Sequence, residues 1–468
     1  MTRIKFGTDG WRAIIAKEFT TDNVARVSLA VAEFLNEKND NCSVVIGHDC
    51  RFAGSLFAET VAKVLTTKGI RVLLAKGFVS TPMVSLGVVN YNANLGVVIT
   101  ASHNPPSYNG YKLKGDFGGP LLPDDISDIE NRIPVINSVD IDSINLKDLE
   151  SKGILEYVDL ENDYCNHAEK SFDIDSIRNS GLKLAYDSMY GAGKNVINRL
   201  LPETLQIHSD DNPGFQNQAP EPIHRNLLEF SELIKVKGDI DCGLATDGDA
   251  DRIGLYNSNG DFVDSHHIIL LLIHYLVKYK KMSGKVVTAF SCSVKVKQIC
   301  DFYNLDQETV KIGFKHIAGK MVKENVLLGG EESGGIATAG HIPERDGIWM
   351  GLILFEFMAK SGKKLEDLIN EVYQIVGSFS FERIDLHIAN DIKNKIVENC
   401  KEGKYTSFGK YDVSRIETTD GFKFFFDDDT WLMIRPSGTE PVLRTYAESS
   451  SKEKCFDILE ETRKTLLD

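Results

Sequence analysis

Three aspartates alternate with glycine and alanine in one short stretch of the chain: Asp247, Asp249 and Asp251. An extended loop of this sequence would present all three carboxylates to one side. Carboxylates so close together repel one another unless a cation compensates their charge, and ligation by oxygen alone suits magnesium. An EF-hand calcium loop is excluded, because Arg252 and Ser258 stand where it needs glycine and glutamate. A solvated acidic turn is the alternative that this stretch leaves open.

A second loop contains Ser102, which is followed by His103, Asn104 and Pro105. By itself, Ser102 suits an ordinary turn or a helix cap. A hydrolase nucleophile is a second interpretation, but no G-x-S-x-G elbow surrounds the serine, and adjacency does not ensure that His103 reaches its hydroxyl. A phosphoryl carrier is a third interpretation, because magnesium on nearby carboxylates would neutralise a phosphoserine and make its phosphorus electrophilic. Only the third interpretation uses both loops together.

Further residues have the chemistry of a site for a phosphorylated, hydroxyl-rich ligand. Arg435, Ser437, Gly438 and Thr439 form a compact candidate anion cradle, in which a guanidinium, two hydroxyls and accessible backbone amides would bind one anion. An ordinary S-G-T turn is the alternative. Other candidates, each also compatible with a surface or capping role, are the cations Arg12, Lys112 and Arg444 and the sugar-hydroxyl partners Glu331 and Ser333.

Composition narrows the classes of protein that this chain can represent. The 468 residues are 42% apolar and 26% charged, with a formal net charge of −15, which argues against broad nucleic-acid binding. The longest apolar run, 268–273, is too short to cross a bilayer and predicts a buried helix. The N-terminus lacks the apolar run of a signal peptide. Eight cysteines without a C-x-x-C pair suggest neither a zinc site nor a disulfide framework, so we expect a reducing cytoplasm.

The elements that must position these groups recur along the chain. A β-branched run at 43–47, a helical pattern and a second such run at 71–75 form one unit, and the order returns from 182 and from 285. We therefore predict an α/β protein with three related α/β domains with mixed sheets, plus a smaller C-terminal α+β domain, around a central cleft. The predicted domains are 1–152 with the serine loop, 153–258 with the aspartate loop, 259–375 with the Glu331 loop, and 376–468 with the anion cradle.

Three of the predicted strands run directly into the chemically distinctive loops. These strands, 95–99, 242–245 and 326–328, precede Ser102, the aspartates and Glu331 respectively. In open α/β sheets, ligands bind at the carboxyl ends of the strands, so three similar domains would aim three loops at one cleft. In the last domain, strands at 431–434 and 442–447 are predicted to flank the cradle, followed by a helix from about 453 to 466.

Together and in this order, the loops resemble the α-D-phosphohexomutase family. The resemblance is carried by 100–105, 247–252, 330–334 and 435–441, with 6–12 as a supporting match. It implies a phosphoserine at Ser102, whose phosphate oxygen joins the magnesium ligands, with His103 beside it as a further catalytic candidate. The other implied roles are magnesium ligation by Asp247, Asp249 and Asp251; charge stabilisation and proton transfer by Arg252, Lys112 and Arg12; sugar recognition by Glu331 and Ser333; and binding of the non-reacting phosphate by Arg435, Ser437, Gly438, Thr439 and Arg444.

The resemblance also implies an activity: interconversion of hexose 1-phosphate and hexose 6-phosphate through a hexose 1,6-bisphosphate, which also serves as activator. Gly330-Glu331-Glu332-Ser333-Gly334 resembles the glutamate-rich loop of glucose-directed members, as Lys315 resembles one of their lysines. The loop departs from the G-E-M-S-G-H and G-E-Q-S-G-H forms of other members. We therefore expect a phosphoglucomutase, with a phosphomannomutase or dual-specificity enzyme as the first alternative.

Weaker alternatives are a phosphoglucosamine mutase, a phosphopentomutase, a phosphatase with the same metal loop, and a non-catalytic sugar-phosphate-binding relative. A phosphatase would not need the sugar-recognition loop and the second phosphate site. A non-catalytic relative is expected to have lost the serine, an aspartate or the anion cradle, and the chain retains all of them. The expected partners are small-molecule sugar phosphates, without nucleic acid or membrane, and the expected assembly is a monomer or homodimer in the cytoplasm.

Overall fold

The computed structural model describes residues 4–7, 9–436 and 442–467. Its first sheet comprises six strands with accompanying helices. These elements are β1 (Trp11–Ile14), α1 (Thr21–Lys38), β2 (Ser43–His48), α2 (Gly54–Thr67), β3 (Arg71–Ala75), α3 (Thr81–Asn90), β4 (Leu95–Ile99), β5 (Tyr108–Gly115), α4 (Pro123–Arg132), α5 (Leu146–Ser151) and β6 (Leu155–Val158).

The order in this first sheet is β1-β5-β4-β2-β3-β6. Strands β4, β2, β3 and β6 are parallel, whereas β5 and β1 are antiparallel additions at one edge. The β-branched runs of β2 and β4 are buried because helices cover both faces, as a parallel sheet requires.

The second sheet repeats this plan with five strands in the order β11-β10-β9-β7-β8. Here β9, β7 and β8 are parallel, and β10 and β11 are antiparallel. The elements are α6 (Leu160–Ser171), α7 (Ile174–Arg178), β7 (Leu184–Asp187), α8 (Lys194–Leu200), β8 (Leu205–Ile207), α9 (Leu228–Lys237), β9 (Cys242–Thr246), β10 (Ile253–Tyr256) and β11 (Phe262–Val263).

The third sheet has four strands in the order β13-β12-β14-β15, of which the last is antiparallel to its neighbour. Its elements are α10 (Ser265–His274), β12 (Lys285–Ala289), α11 (Lys295–Phe302), β13 (Gln307–Val310), α12 (Phe314–Met321), β14 (Val326–Gly330), β15 (Ile336–Thr338), α13 (Gly347–Ser361) and α14 (Leu365–Val376).

A C-terminal sheet of five antiparallel strands, β16-β22-β21-β20-β19, completes the described chain. Its elements, with a separate hairpin of β17 and β18, are β16 (Ser380–His387), α15 (Asn390–Lys401), β17 (Ser407–Phe408), β18 (Tyr411–Asp412), β19 (Arg415–Glu417), β20 (Phe422–Phe425), β21 (Trp431–Pro436), β22 (Val442–Ser449) and α16 (Lys452–Leu467).

The predicted fold class is confirmed: three mixed sheets with helices are followed by an antiparallel sheet with helices. The predicted buried helix is also present as α10. The domain boundaries stay a prediction, and the first sheet itself extends past residue 152 to Val158, because β6 pairs with β3. No helix among the described residues is long and apolar enough to cross a membrane.

One connection recurs in the first three sheets and positions the candidate residues. In each sheet a parallel strand passes through a loop into an antiparallel neighbour: β4 into β5, β9 into β10, and β14 into β15. These three loops carry Ser102, the aspartates and Glu331. The equivalence explains why three separate chain segments deliver functional groups in the same way.

Candidate active site

Ser102 is held in an unusual backbone conformation immediately after β4. Its φ is +53°, a left-handed value that costs a non-glycine residue energy, and its side chain is buried. The backbone N–H of Ser102 donates to Oγ1 of Thr100 at 2.8 Å, and its hydroxyl donates to Oδ2 of Asp247 at 2.7 Å. Nδ1 of His103 lies 3.2 Å from the same hydroxyl oxygen, so the histidine does reach the serine.

The aspartate loop is a tight turn, and the expectation of an extended loop was wrong. Ala250 has a φ of +56° and donates its N–H to the carbonyl of Asp247 at 3.0 Å. The turn brings one carboxylate oxygen from each of Asp247, Asp249 and Asp251 within 4.8 Å of one another. Folding the chain back, rather than alternating along a strand, is what makes the three carboxylates converge.

The three aspartates fit a divalent cation. Oδ1 of Asp249 and Oδ1 of Asp251 are buried and have no hydrogen-bond partner among the described residues. Burial, followed by repulsion from Asp249 and Asp251, raises the pKa of Asp247 well above its ordinary value. A cation ligated by these oxygens would satisfy both orphaned atoms and remove the repulsion.

Lys112, on β5, reaches into the same cluster. Its buried Nζ lies 2.8 Å from Asp249, 3.0 Å from Asp251 and 2.9 Å from Asp9. Burial disfavours the charged lysine, but the three carboxylates outweigh burial and raise the pKa of Lys112 above its ordinary value. The ammonium group is therefore a fixed positive charge beside the aspartate cluster.

Arg12 and Arg252 bring further positive charge to the serine. Arg12 donates to Oδ1 of Asn104 at 2.6 Å, in the same loop as Ser102. Arg252 donates to Glu221 at 3.4 Å, and its buried Nε has no partner among the described residues. Burial, with repulsion from Arg252 and Arg12, lowers the pKa of His103 well below its ordinary value. The structure thus brings the predicted catalytic candidates together.

Two glycines allow the three loops to touch. A Cβ on Gly248 would lie 2.7 Å from the carbonyl oxygen of Ser102, so the aspartate turn can approach the serine only without a side chain. Gly334 has a φ of +86°, and a Cβ there would lie 2.5 Å from the carbonyl oxygen of Ile253. The Glu331 loop is therefore closely packed against the strand that follows the aspartates.

Glu331 faces the same region from β14 and its loop. Its buried carboxylate accepts the N–H of Gly313 at 3.0 Å. Burial raises the pKa of Glu331 to about 7, against the opposing effect of Arg345. Ser333 and Lys315 are half-buried, and Lys315 lies in the first turn of α12, beside Gly313.

The described part of the anion cradle is built on two strands rather than on a loop. The strand predicted at 431–434 continues to Pro436, so Arg435 lies within β21 and is paired in register with Arg444 on β22. Arg435 donates to both carboxylate oxygens of Asp420, each at 3.4 Å. Nε of Arg444 is buried without a partner among the described residues. Three predicted cradle residues, Ser437, Gly438 and Thr439, lie outside the described residues.

Sequence reasoning missed Arg51, which fixes the serine loop. Arg51 follows β2 and is paired at 3.4 Å with Asp49, both side chains being fully buried. Burial raises the pKa of Asp49 to about 6, and the carboxylate also accepts the hydroxyl of Thr100 at 2.5 Å. The guanidinium donates to four carbonyl oxygens at 2.6 to 3.1 Å, those of Ser102, Asn104, Pro105 and Tyr108.

Arg345 was missed as well. Its guanidinium lies 2.8 Å from Oδ2 of Asp251 and also pairs with Asp9. Arg345 lies between β15 and α13, so it connects the third sheet to the aspartate loop and to the segment that precedes β1. A position just after a strand end could have indicated Arg51, whereas nothing in the sequence distinguishes Arg345 from a surface arginine.

Comparison with protein families covers nearly the whole chain. Residues 3–139, 162–260 and 264–376 match alpha/beta/alpha domains I, II and III described as phosphoglucomutase/phosphomannomutase, and 389–465 match the C-terminal domain of that description. The four matches follow one another in the order of the four sheets.

Individual relatives match this chain over nearly its full length. A phosphoglucomutase/phosphomannomutase of Thermococcus kodakarensis is 30% identical over 97% of this chain and 96% of its own. A phosphoglucosamine/phosphogalactosamine mutase of Sulfurisphaera tokodaii is 30% identical over 98% of each chain. A crystal structure from Thermus thermophilus, described only provisionally as a phosphomannomutase, is 30% identical and superposes with a TM-score of 0.88 over 100% of both chains.

Fold and site together define an enzyme that rearranges a phosphoryl group within a sugar phosphate. The chain belongs to the α-D-phosphohexomutase family, the phosphoglucomutase/phosphomannomutase group of isomerases. The resemblance seen in the sequence is thereby confirmed, and so is the expected enzyme class.

Proposed function

We propose that this phosphohexomutase interconverts glucose 1-phosphate and glucose 6-phosphate through phosphorylated Ser102 and glucose 1,6-bisphosphate. The observation that carries the proposal is the hydrogen bond of 2.7 Å from the Ser102 hydroxyl to Asp247, inside a cluster of three carboxylates. A serine in that position is poised to exchange a phosphoryl group and not to attack a carbonyl carbon, because His103, the histidine beside its hydroxyl, has no carboxylate partner among the described residues to complete a hydrolase triad.

In the first transfer, the bond between phosphorus and Oγ of Ser102 breaks as a hydroxyl oxygen of the sugar bonds to phosphorus. The sugar hydroxyl gives up one proton and Oγ of Ser102 gains one, so the transfer releases no net proton, and the ammonium group of Lys112 stays charged and stabilises the negative charge that develops. Arg12 and Arg252 stabilise the charge on the transferring oxygens. The second transfer is the same reaction in reverse, from the other phosphate of the intermediate.

Magnesium held by Asp247, Asp249 and Asp251, and by an oxygen of the serine phosphate, would supply charge neutralisation and make phosphorus more electrophilic. The buried, unpartnered oxygens of Asp249 and Asp251 support this assignment. The chain's own contribution is to hold these carboxylates against the serine through the turn around Ala250.

The phosphate that does not react needs a site of its own in both orientations of the sugar. Arg435 and Arg444, paired across β21 and β22, are proposed to bind it together with Ser437, Gly438 and Thr439. Because this phosphate is bound away from Ser102, the bisphosphate can reverse its orientation in the cleft. Each of its two phosphates then occupies the position that the other one held. Exclusion of water during that step separates a mutase from a phosphatase.

Glucose is the proposed sugar because two glutamates, Glu331 and Glu332, precede Ser333 in the recognition loop. Their carboxylates are acceptors for equatorial hydroxyls, and Lys315 lies near the same loop. A mannose-directed or dual enzyme is the first alternative, in keeping with the double name of the Thermococcus relative. An enzyme that acts on glucosamine phosphate is the second alternative. Paired carboxylates would also attract a protonated amine, and the Sulfurisphaera relative is named for amino sugars.

A coupled assay with the 1-phosphates of glucose, mannose, glucosamine and ribose, each with and without the matching bisphosphate, tests the proposal. We expect glucose 1-phosphate to give the highest kcat/KM and the bisphosphate to stimulate turnover. Free phosphate as the main product would identify a phosphatase instead. Binding without turnover of any sugar would identify a non-catalytic relative, and a higher kcat/KM for another sugar would replace glucose.

The assembly and surroundings of the enzyme are also proposals. We propose a monomer or homodimer in a reducing cytoplasm, in keeping with eight free cysteines. The divisions of the chain at 258 and 375 are retained as the proposed domain organisation, and the first division is moved from 152 to after Val158, because β6 belongs to the first sheet.

A further inference from the structure

The C-terminal sheet is docked on the third domain through polar groups as well as apolar ones. Glu448, fully buried, accepts the N–H of Val294 at 3.3 Å and the indole N–H of Trp431 at 3.1 Å. Lys423 donates to the carbonyl of Cys292 at 3.2 Å. These contacts fix one face of the sheet against the loop that follows β12.

Asp420 makes a second connection between the same two domains, nearer the phosphate-binding arginines. Its Oδ2 accepts the backbone N–H of Ile312 at 2.9 Å. The same carboxylate accepts both hydrogen bonds from Arg435. The side chains of Arg435 and Asp420 are 22% and 25% exposed, so the pair is only partly screened by solvent. One carboxylate therefore touches the cradle on one side and the third domain on the other.

The backbone segment that Asp420 binds is also attached to the sugar-recognition loop. Gly313, the residue after Ile312, donates its N–H to Oε1 of Glu331 at 3.0 Å. Two consecutive amides thus bind carboxylates that belong to different parts of the cleft. A continuous path of hydrogen bonds, linked by the backbone of Ile312, runs from Arg435 through Asp420 to Glu331.

We propose that Asp420 is a positioning residue that couples the phosphate-binding strand to the sugar-recognition loop and so keeps the bisphosphate intermediate in the cleft. This inference rests on the proposed function, because it concerns the turnover of that intermediate. Arg435 holds one phosphate and Glu331 holds the sugar, so a ligand is retained best when both are correctly spaced. Asp420 sets the spacing and does not itself take part in the transfer.

Loss of the coupling has a specific kinetic consequence. If the bisphosphate escapes after the first transfer, Ser102 is left without its phosphoryl group and the enzyme is inactive until bisphosphate rephosphorylates it. A coupling defect therefore lowers kcat when bisphosphate is scarce, and saturating bisphosphate restores it. A general structural defect lowers kcat at every bisphosphate concentration.

The test compares the wild-type protein with Asp420→Asn and with Asp412→Asn, which replaces an exposed carboxylate on β18, in the separate hairpin of the C-terminal part of the chain. The asparagine keeps the shape and an acceptor for Ile312 but loses the charge that holds Arg435. Stimulation of kcat by added glucose 1,6-bisphosphate should rise about 5- to 10-fold in Asp420→Asn, which corresponds to loss of one hydrogen bond of ordinary strength, as suits a partly exposed pair. Asp412→Asn should keep the wild-type stimulation.

A double-mutant cycle with Glu331→Gln examines the proposed path directly. Because Asp420 and Glu331 act through the adjacent amides of Ile312 and Gly313, their effects on kcat/KM should be non-additive, whereas Asp412→Asn and Glu331→Gln should be additive. Wild-type stimulation in Asp420→Asn, or a loss that bisphosphate does not restore, would overturn this inference alone. Absence of wild-type turnover with any hexose phosphate would overturn the proposed function, and this inference with it.

Discussion

The hydroxyl of Ser102 donates to Oδ2 of Asp247 at 2.7 Å, although the two residues are 145 positions apart in the chain. The bond joins the loop after β4 to the loop after β9, which belong to different sheets. The proposed phosphoryl carrier and the proposed metal site are consequently assembled only when the first two domains pack together. Lys112 and Arg345 strengthen this junction by pairing with Asp251.

Replacement of Ser102 by alanine should abolish mutase turnover. The alanine has no oxygen to carry the phosphoryl group, so we expect kcat to fall by roughly 10³-fold or more, with little change in sugar-phosphate binding. Steady-state assays with glucose 1-phosphate would measure kcat, and ligand titration would measure binding. Ser107→Ala, an exposed serine near the same loop, is the matched control and should stay active. Near-normal turnover by Ser102→Ala would refute the phosphoserine mechanism.

Magnesium should stabilise the folded protein through the three aspartates. Because the cation binds a site that the unfolded chain lacks, magnesium at about 100 times its Kd should raise the free energy of unfolding by about 2.7 kcal/mol. Calorimetry with magnesium or with a chelator would show this as a shift in Tm. Asp251→Asn should lose the shift, whereas Asp261→Asn, an exposed carboxylate between β10 and β11, should retain it. Equal shifts in both variants would place the cation elsewhere.

Local sequence predicted the strands well, because the β-branched runs at 95–99 and 285–289 are buried in the interiors of their sheets. It also indicated which strand ends carry functional groups. What it could not supply are the contacts made by tertiary packing. The four carbonyls bound by Arg51 converge only when the serine loop folds over it, and the Asp420–Ile312 bond exists only because two domains dock.

Gly248→Ala should separate the two catalytic loops while leaving the fold intact. The new Cβ would lie 2.7 Å from the carbonyl oxygen of Ser102, so the aspartate turn must move away from the serine. A displacement of this kind should lower kcat on the order of 10²-fold. Gly214→Ala is the control, because its Cβ would meet only Oδ1 of Asn212 at 3.4 Å and its φ is −92°. An unchanged kcat for Gly248→Ala would show that this close approach is not needed for transfer.

The docking of the C-terminal sheet should make stability depend on pH through Glu448. Burial raises the pKa of this carboxyl from 4.5 to about 7, so between these pH values the folded chain binds a proton that the unfolded chain has released. The contribution of Glu448 to the free energy of unfolding therefore falls as pH rises through this range. Burial also lowers the pKa of the facing Lys423, to about 8, so the lysine keeps its charge below that pH. Of these two residues, only Glu448 changes its charge in the range considered, and it sets the direction of their joint effect on stability.

Glu448→Gln isolates this contribution, because the amide oxygen can still accept the N–H groups of Val294 and Trp431. The variant should lose the part of the pH dependence that Glu448 causes, at most about 3 kcal/mol, since each unit of pKa shift corresponds to about 1.4 kcal/mol. Calorimetric Tm values across the interval from pH 4.5 to about 7 would measure it. Glu398→Gln, exposed on α15, should follow the wild-type curve. Parallel curves for Glu448→Gln and the wild type would mean that the buried carboxyl does not titrate within this range, and that the interface holds Glu448 in one protonation state throughout.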